Sequence, residues 1–576
     1  MVVLPKHRLT ARAWLALILI AGAALRFYGL GWGAPYYHFH IDEHVVFSGA
    51  DMIARSPREA AESPKFFMYS PLPMYMLMAV RWVWQTAAAH RLDLGVPADE
   101  IVFTMLGRAI SATIGTATIV AAYAVARRVG DWRSGVFAAA LTAFGVLHLR
   151  ESHFFTTDIP MTFFSVVTLW TLIPILDEGI TWRRDLAVGA AFGAALLCKY
   201  TAVFLAPVIG LAYLLAGPVA ETRPAVLIRR ALHACIPWTL ALVLFLAGDP
   251  LVIQYYGKFR QDIADWVTAP LTGTWKPIWT AQFTDVTSPH LYWFTNILWW
   301  GLGPAFEIVG LAGVVWLFWR RDRRAAVAGA FVVAYLLVAG RTVTPFARYG
   351  VPLVPALAIS AGVFAADLLN RPRWRKAAVA LTALTLATTG AYAVAYLHVF
   401  AAPDSRLAAS YYMIHHVPAG ARVLVEPSQN MVPFGSYLEH PDFNRDYLLR
   451  GPEAALDDYY HLVALDTYVF LYDRNRSQEA KRAYIGSRLA QADYIVMDDT
   501  YLQFYQHLPL AGHAAVKQYY DDLFAGRLGF ELLKTFKVYP SLFGVPIHDD
   551  GAELTFRLFD HPRVYIFRRT TAGAKS

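Results

Sequence analysis

Cysteine is almost missing from this sequence. The only two, Cys198 and Cys235, stand in apolar stretches, which excludes a disulfide framework and a cysteine metal site. Charge is scarce as well: 16% of the 576 residues are charged, while 57% are hydrophobic. A soluble chain carries about 25% charged residues, and several apolar runs here are long enough to cross a bilayer. The small excess of base, 51 Lys and Arg against 43 Asp and Glu, does not indicate a nucleic-acid partner. Those bases sit in short loops between apolar runs. Internal repeats and low-complexity segments are also absent. What is left is a polytopic α-helical membrane protein.

The apolar runs lie near 11–30, 101–126, 134–150, 159–176, 186–198, 200–217, 231–249, 293–319, 325–340, 350–369 and 377–398. They predict about eleven transmembrane helices. The first run is too long for a signal-peptide core and lacks a cleavage site, so it reads as a retained anchor. The N-terminus (Lys6, Arg8, Arg12) and the connectors around Arg127, Arg183, Arg229, Arg320 and Arg371 hold nineteen Lys or Arg; the three short alternate connectors hold three. The positive-inside rule then places the N-terminus in the cytoplasm of a plasma-membrane protein. The segment 71–89 is apolar, but Pro71, Pro73 and Arg81 interrupt it. Counting it as a span would put Arg127 and Arg128 outside, so it is read as a re-entrant or interfacial helix within a first outer loop of about 31–100.

Beyond residue 402 the chain becomes richer in Asp, Tyr and His. Strand-like runs at 421–426, 494–497, 530–539 and 552–568 alternate with helical patterns. Residues 403–576 therefore read as an extracytoplasmic α/β domain following a membrane domain of 1–402.

Candidate chemistry gathers on one face of the membrane. Asp42 and Glu43 follow the first span in His38-Phe39-His40-Ile41-Asp42-Glu43-His44. Neighbouring side chains on a helix diverge by about 100°, so one of the two carboxylates can face a given pocket, and Asp42 is the candidate. It reads equally as an N-cap. Asp158, in Ser152-His153-Phe154-Phe155-Thr156-Thr157-Asp158-Ile159-Pro160, opens a span on the same side and also reads as a cap, with Pro160 in the first turn. Lys65, Lys199, Arg341 and Arg348 are the cations of that face; a lone cation at a membrane end commonly snorkels to the headgroups.

Together these residues resemble a GT-C glycosyltransferase of the protein-O-mannosyltransferase and aminoarabinose-transferase type, family 39. The resemblance rests on Asp42-Glu43 after the first span, Ser152-His153…Thr157-Asp158-Ile159-Pro160, Lys199-Tyr200-Thr201 and Arg348-Tyr349…Pro352…Pro355. The tail from Leu523 to Val564 resembles bacterial members with an extracytoplasmic domain. Lys65…Pro71-Leu72-Pro73 stands where the family has Lys-Pro-Pro-Leu. The resemblance implies a sugar donor on a polyprenyl phosphate, drawn from membrane lipid, and an acceptor hydroxyl on protein, lipid or glycan. It implies Asp42 as general base, with Glu43 and Asp158 beside it, and substrate contacts from Lys65, Lys199, Arg348, Tyr349 and His153. No cofactor is required, although the crowding of His38, His40, Asp42, Glu43 and His44 leaves room for a divalent metal. The alternative is a transporter or flippase of lipid-linked sugars. It predicts mid-bilayer charge and paired repeats with broken helices, of which the sequence offers only the Gly301-Leu302-Gly303-Pro304 break.

Overall fold

The structure is a computed structural model that describes residues 6–33, 39–89, 100–217, 223–275, 278–428, 432, 460–472 and 476–570. Two compact units emerge: residues 1–30, 42–272 and 288–397 form one, and 31–41, 273–287 and 398–576 the other.

The first unit is helical. Among the described residues, six helices are long and apolar enough to cross a membrane by length and composition. They run at Thr10–Phe27, Val102–Val129, Asp158–Glu178, Pro224–Gly248, Ala347–Leu369 and within 375–416, where the helix Arg375–Ala401 is followed by the helix Ser405–His416. The other predicted spans are shorter helices: Trp132–Phe144, Trp182–Cys198, Leu205–Leu214, Pro304–Trp319 and Arg323–Ala339. Two predicted runs are interrupted. The run 134–150 breaks at Gly145, where an added Cβ would stand 2.6 Å from Val354, and restarts as Val146–Glu151. The run 293–319 breaks at Gly303, whose φ of 82° a side chain resists. The helix Leu353–Leu369 occupies the centre of the unit because small residues let its neighbours close in. A Cβ on Gly313 would meet the Ser360 backbone at 2.4 Å, and one on Gly362 the Ser134 carbonyl at 2.4 Å.

The segment 71–89 forms the helix Leu72–Ala89, which is not among the six. Arg81 within it pairs with Asp51 and lies over the Phe103 ring. The helix Ile41–Arg55 is held by an apolar cluster that draws on both long loops, including Phe47, Phe67, Met74, Phe155 and Leu251. That cluster fixes where the helix begins, and with it the position of Asp42.

The second unit carries a five-stranded sheet of order β2-β1-β3-β7-β4. Its strands are β1 (Ala421–Val425), β2 (Tyr460–Ala464), β3 (Tyr494–Asp498), β4 (Phe530–Phe536) and β7 (Val564–Arg569). A short hairpin joins β5 (Ser541–Leu542) to β6 (Val545–Pro546). Strands β2, β1 and β3 are parallel; β7 runs antiparallel to β3 and β4. Alternate residues enter separate cores, Leu424, Ile495 and Phe567 on one face and Val423, Val496 and Ile566 on the other. This is the period-2 signature of a sheet covered on both sides. The predicted strand 552–568 divides into a helical turn, Leu554–Leu558, and β7.

Next to β7, His561 is buried between two carboxylates, with Nδ1 2.6 Å from Asp560 and Nε2 2.9 Å from Asp549. Burial alone would lower its pKa, but the Asp549 and Asp560 charges outweigh it and push the imidazole up to about 9. A raised folded-state pKa stabilises fully below the ordinary value of 6.5 and is lost as pH rises through about 9. Thermal unfolding of the chain is therefore expected to show an alkaline fall in stability through that window, and His561→Asn should flatten it. An unchanged alkaline limb in the variant would assign the fall to other groups.

Candidate active site

Two distant segments of the helical unit meet Asp42. It lies in the first turn of Ile41–Arg55 and is buried. The Tyr69 hydroxyl donates to its Oδ1, and the Arg348 guanidinium pairs with its Oδ2. Tyr69 stands between the short 3-10 turn Phe66–Met68 and the helix Leu72–Ala89. Burial, reinforced by nearby Tyr349 and Asp158, pushes the Tyr69 hydroxyl well up. It stays protonated and so keeps its role as a donor to the carboxylate.

A second pair repeats the pattern. Asp158 opens the helix Asp158–Glu178 and is buried; Lys199 donates to its Oδ1 at 2.6 Å. Lys199 sits where the helix Trp182–Cys198 gives way to the 3-10 turn Tyr200–Phe204. The Tyr349 ring underlies both cations, 5.1 Å from Lys199 and 5.7 Å from Arg348. Its carbonyl accepts the Tyr335 hydroxyl, which ties the 347–350 turn to the helix Arg323–Ala339. Two buried carboxylates, two half-buried cations and an aromatic face thus share one locus. Such a locus can receive an anion at the cations and a proton at a carboxylate.

The remaining sequence candidates lie elsewhere. Glu43 diverges from Asp42 as the helix geometry requires. Arg108 grips it through Nε at 3.0 Å and Nη2 at 2.9 Å, and the Phe155 amide donates to it at 3.0 Å. Arg108 also donates to the Leu30 carbonyl. Both side chains are inaccessible, so this pair anchors the start of the Asp42 helix. His153 bridges the carbonyls of Leu149 and Tyr28, each at 2.9 Å. The Lys65 ammonium lies 3.9 Å over the Trp266 ring, on a backbone with φ of 64°. Among the described residues no three His, Cys, Asp or Glu gather to hold a metal ion; His38 lies outside them, and the His40 ring packs on Phe559.

Sequence reasoning missed Tyr69, Tyr335 and Arg108. Tyr69 and Tyr335 carry no charge to mark them. Arg108 had a signal: an arginine just inside an apolar run is costly without a partner. Arg26 and Arg150 belong with it, both buried; Arg26 donates to the Ala143 and Thr142 carbonyls, and Arg150 pairs with Glu151. The spans are thus less free of charge than the sequence suggested. Arg26 and Arg150 lie at helix ends, whereas Arg108 lies about two turns inside the helix Glu100–Val129.

Residues 104–248 match the family model described as dolichyl-phosphate-mannose-protein mannosyltransferase; this stretch holds Asp158 and Lys199 but neither Asp42 nor Arg348. No curated protein matches the sequence. Among solved structures, the chain is similar to the archaeal oligosaccharyltransferase AglB from Archaeoglobus fulgidus in complex with an inhibitory peptide and a dolichol-phosphate. The likeness has 13% identity and a TM-score of 0.51, and covers 94% of this chain and 75% of that one. It is also similar to ArnT from Cupriavidus metallidurans in the apo state, at 16% identity and a TM-score of 0.50, over 87% of this chain and 95% of that one. The chain therefore has the GT-C fold, a multi-pass membrane architecture with a further sheet-bearing unit, and the resemblance drawn from its motifs holds at that level.

Proposed function

We propose that the chain transfers a sugar from a polyprenyl-phosphate carrier to an acceptor hydroxyl, with Asp42 as general base and with Arg348 and Lys199 receiving the leaving phosphate. The observation that carries this reading is the side-by-side arrangement of Asp42–Arg348 and Asp158–Lys199 over the Tyr349 ring. A phosphate leaves as a weak base and needs no general acid; it needs cations aimed at its growing charge. When the donor phosphate arrives, the two cations are shared between it and their carboxylates. Asp42 is then left oriented by Tyr69 and open to the acceptor. The acceptor oxygen bonds to the anomeric carbon, the bond from that carbon to the phosphate oxygen breaks, and the hydroxyl proton passes to Asp42. One displacement inverts the anomeric configuration.

Asp158 acts through Lys199, which it holds in place, and Glu43 acts through Arg108. The phosphate is assigned to Arg348 and Lys199 rather than to Lys65, which is stacked on Trp266. A divalent ion at Asp42 would compete with Arg348 for the carboxylate. The site faces the extracytoplasmic side by the positive-inside rule, with the N-terminus in the cytoplasm of the plasma membrane. The acceptor is a hydroxyl of protein, lipid or glycan.

Two experiments test this reading. Reconstituted protein incubated with polyprenyl-phosphate-linked sugars and candidate acceptors should release free polyprenyl phosphate; movement of intact donor across the bilayer without release would make it a transporter. Arg348→Ala should raise donor KM and lower kcat together, by about 2–4 kcal/mol in kcat/KM, through loss of a charge-assisted contact to the phosphate. Arg348→Lys should recover part of this, since it keeps the charge but not the planar fork. Wild-type kinetics in the alanine form would move the phosphate to Lys199 alone.

A further inference from the structure

Both cations assigned to the phosphate are carried by turns. Arg348 lies in the 3-10 turn Ala347–Gly350, and Lys199 directly precedes the 3-10 turn Tyr200–Phe204. Such turns are short and have poorer hydrogen-bond geometry than an α-helix. The placement of a side chain on one therefore depends on what the turn is packed against. Tyr335, on the helix Arg323–Ala339, touches both turns. Its hydroxyl donates to the carbonyl of Tyr349, the residue after Arg348. Its ring meets Phe204, the last residue of the other turn, edge-on, with centroids 4.7 Å apart and planes at 90°.

The surrounding packing makes Tyr335 a fixed point. Phe331, one helical turn earlier on the same face, also meets Phe204, with centroids 5.0 Å apart. Trp293 closes on the Tyr335 ring from a third segment at 6.3 Å. All four rings are buried, and a close-packed interior leaves such rings little room to shift. The Arg348 turn is hemmed in from another side at Gly350, where an added Cβ would stand 2.9 Å from both Ile297 and Leu147. Tyr335 reaches the two turns by different atoms. The hydroxyl holds the Arg348 turn, and the ring holds the end of the turn that follows Lys199.

From this geometry we infer that Tyr335 is a positioning residue for the donor phosphate: it sets the separation of Arg348 and Lys199 by holding both turns. It acts through those two side chains rather than on the reacting atoms, and the inference rests on the assignment of the phosphate to them. A phosphate is held well only where both cations aim at it together. A misplacement of about 1 Å can cost on the order of 10²-fold. The Tyr335 hydroxyl is therefore needed for donor binding, although a phenyl ring would fill the same space.

The test uses the full chain in lipid vesicles, with two readouts: affinity for polyprenyl phosphate and steady-state transfer from a polyprenyl-phosphate sugar. Tyr335→Phe keeps the ring and removes the hydroxyl. It should weaken polyprenyl-phosphate binding and raise donor KM, each by about 10–100-fold. In an Arg348→Ala background the same change should alter either by less than about twofold, because the cation it places is gone. In a Lys199→Ala background it should keep its full effect. An equal loss from Tyr335→Phe with and without Arg348 would overturn the inference, by showing a general loss of packing. Wild-type affinity and KM in Tyr335→Phe would overturn it as well. Tyr335→Leu also gives up the ring, and should weaken binding in the Arg348→Ala background too; unchanged affinity there would overturn the tie to Lys199. If the wild type binds polyprenyl phosphate yet transfers no sugar, the transfer reading fails, and the affinity series still decides on Tyr335. Absence of any binding by the wild type would overturn both.

Discussion

Asp42→Asn is expected to lower transfer by about 10²–10⁴-fold, the range for loss of a positioned general base, with donor binding retained. The amide keeps the shape of the carboxylate, and its oxygen still accepts the Tyr69 hydroxyl. It cannot take the acceptor's proton, and it no longer neutralises Arg348, whose guanidinium pairs with Asp42 in the resting site. Arg348 is then freer to engage the donor phosphate, so donor KM should hold or fall while kcat collapses. That split distinguishes loss of a base from loss of a structural cap, which would raise KM and lower stability instead. Steady-state kinetics with a polyprenyl-phosphate sugar, alongside thermal unfolding, read both. Activity equal to wild type would move the base to Asp158.

Arg108→Met is expected to damage the fold rather than the chemistry. Arg108 and Glu43 are both inaccessible and joined by two bonds of 2.9–3.0 Å. Breaking such a pair from one side leaves a buried charge uncompensated and costs about 3–5 kcal/mol. That is a large share of the roughly 5–15 kcal/mol by which a typical domain is stable. The remaining carboxylate would keep the Phe155 amide as a donor, which does not balance its charge. Replacing both residues, Glu43→Gln with Arg108→Met, should cost less than Arg108→Met alone because no charge is stranded. Chemical unfolding of the solubilised protein measures the difference, and kcat per folded molecule should stay near wild type wherever protein survives. A Glu43→Gln variant that folds normally yet fails to turn over would give Glu43 a place in the chemistry.

The spans were readable because lipid leaves a long apolar helix few alternatives, and because basic loops mark one side. The breaks at Gly145 and Gly303 were less so, since an apolar run shows its length but not where a neighbouring helix needs room. In the sheet, β1 and β3 were visible as β-branched runs, whereas Tyr460–Ala464, no shorter, is too mixed in composition to stand out. At the site, the sequence supplied charges without partners. Nothing local links Arg348 to Asp42 or Lys199 to Asp158, and both pairings arise only when distant segments fold together. Tyr69 carries no charge and no motif, so its bond to Asp42 is legible only in three dimensions. Adjacent Asp42 and Glu43 separate into a base candidate and an anchor because a helix turns them apart, which the sequence did foretell.

The anomeric configuration of the product tests the central claim most directly. Transfer from a polyprenyl-phosphate sugar of known configuration, with the product analysed by nuclear magnetic resonance before it can mutarotate, reports how many displacements occurred. A single attack assisted by Asp42, with phosphate leaving toward Arg348 and Lys199, predicts complete inversion. Retention would require a covalent or paired displacement, and would contradict a site in which Asp42 acts only as a base.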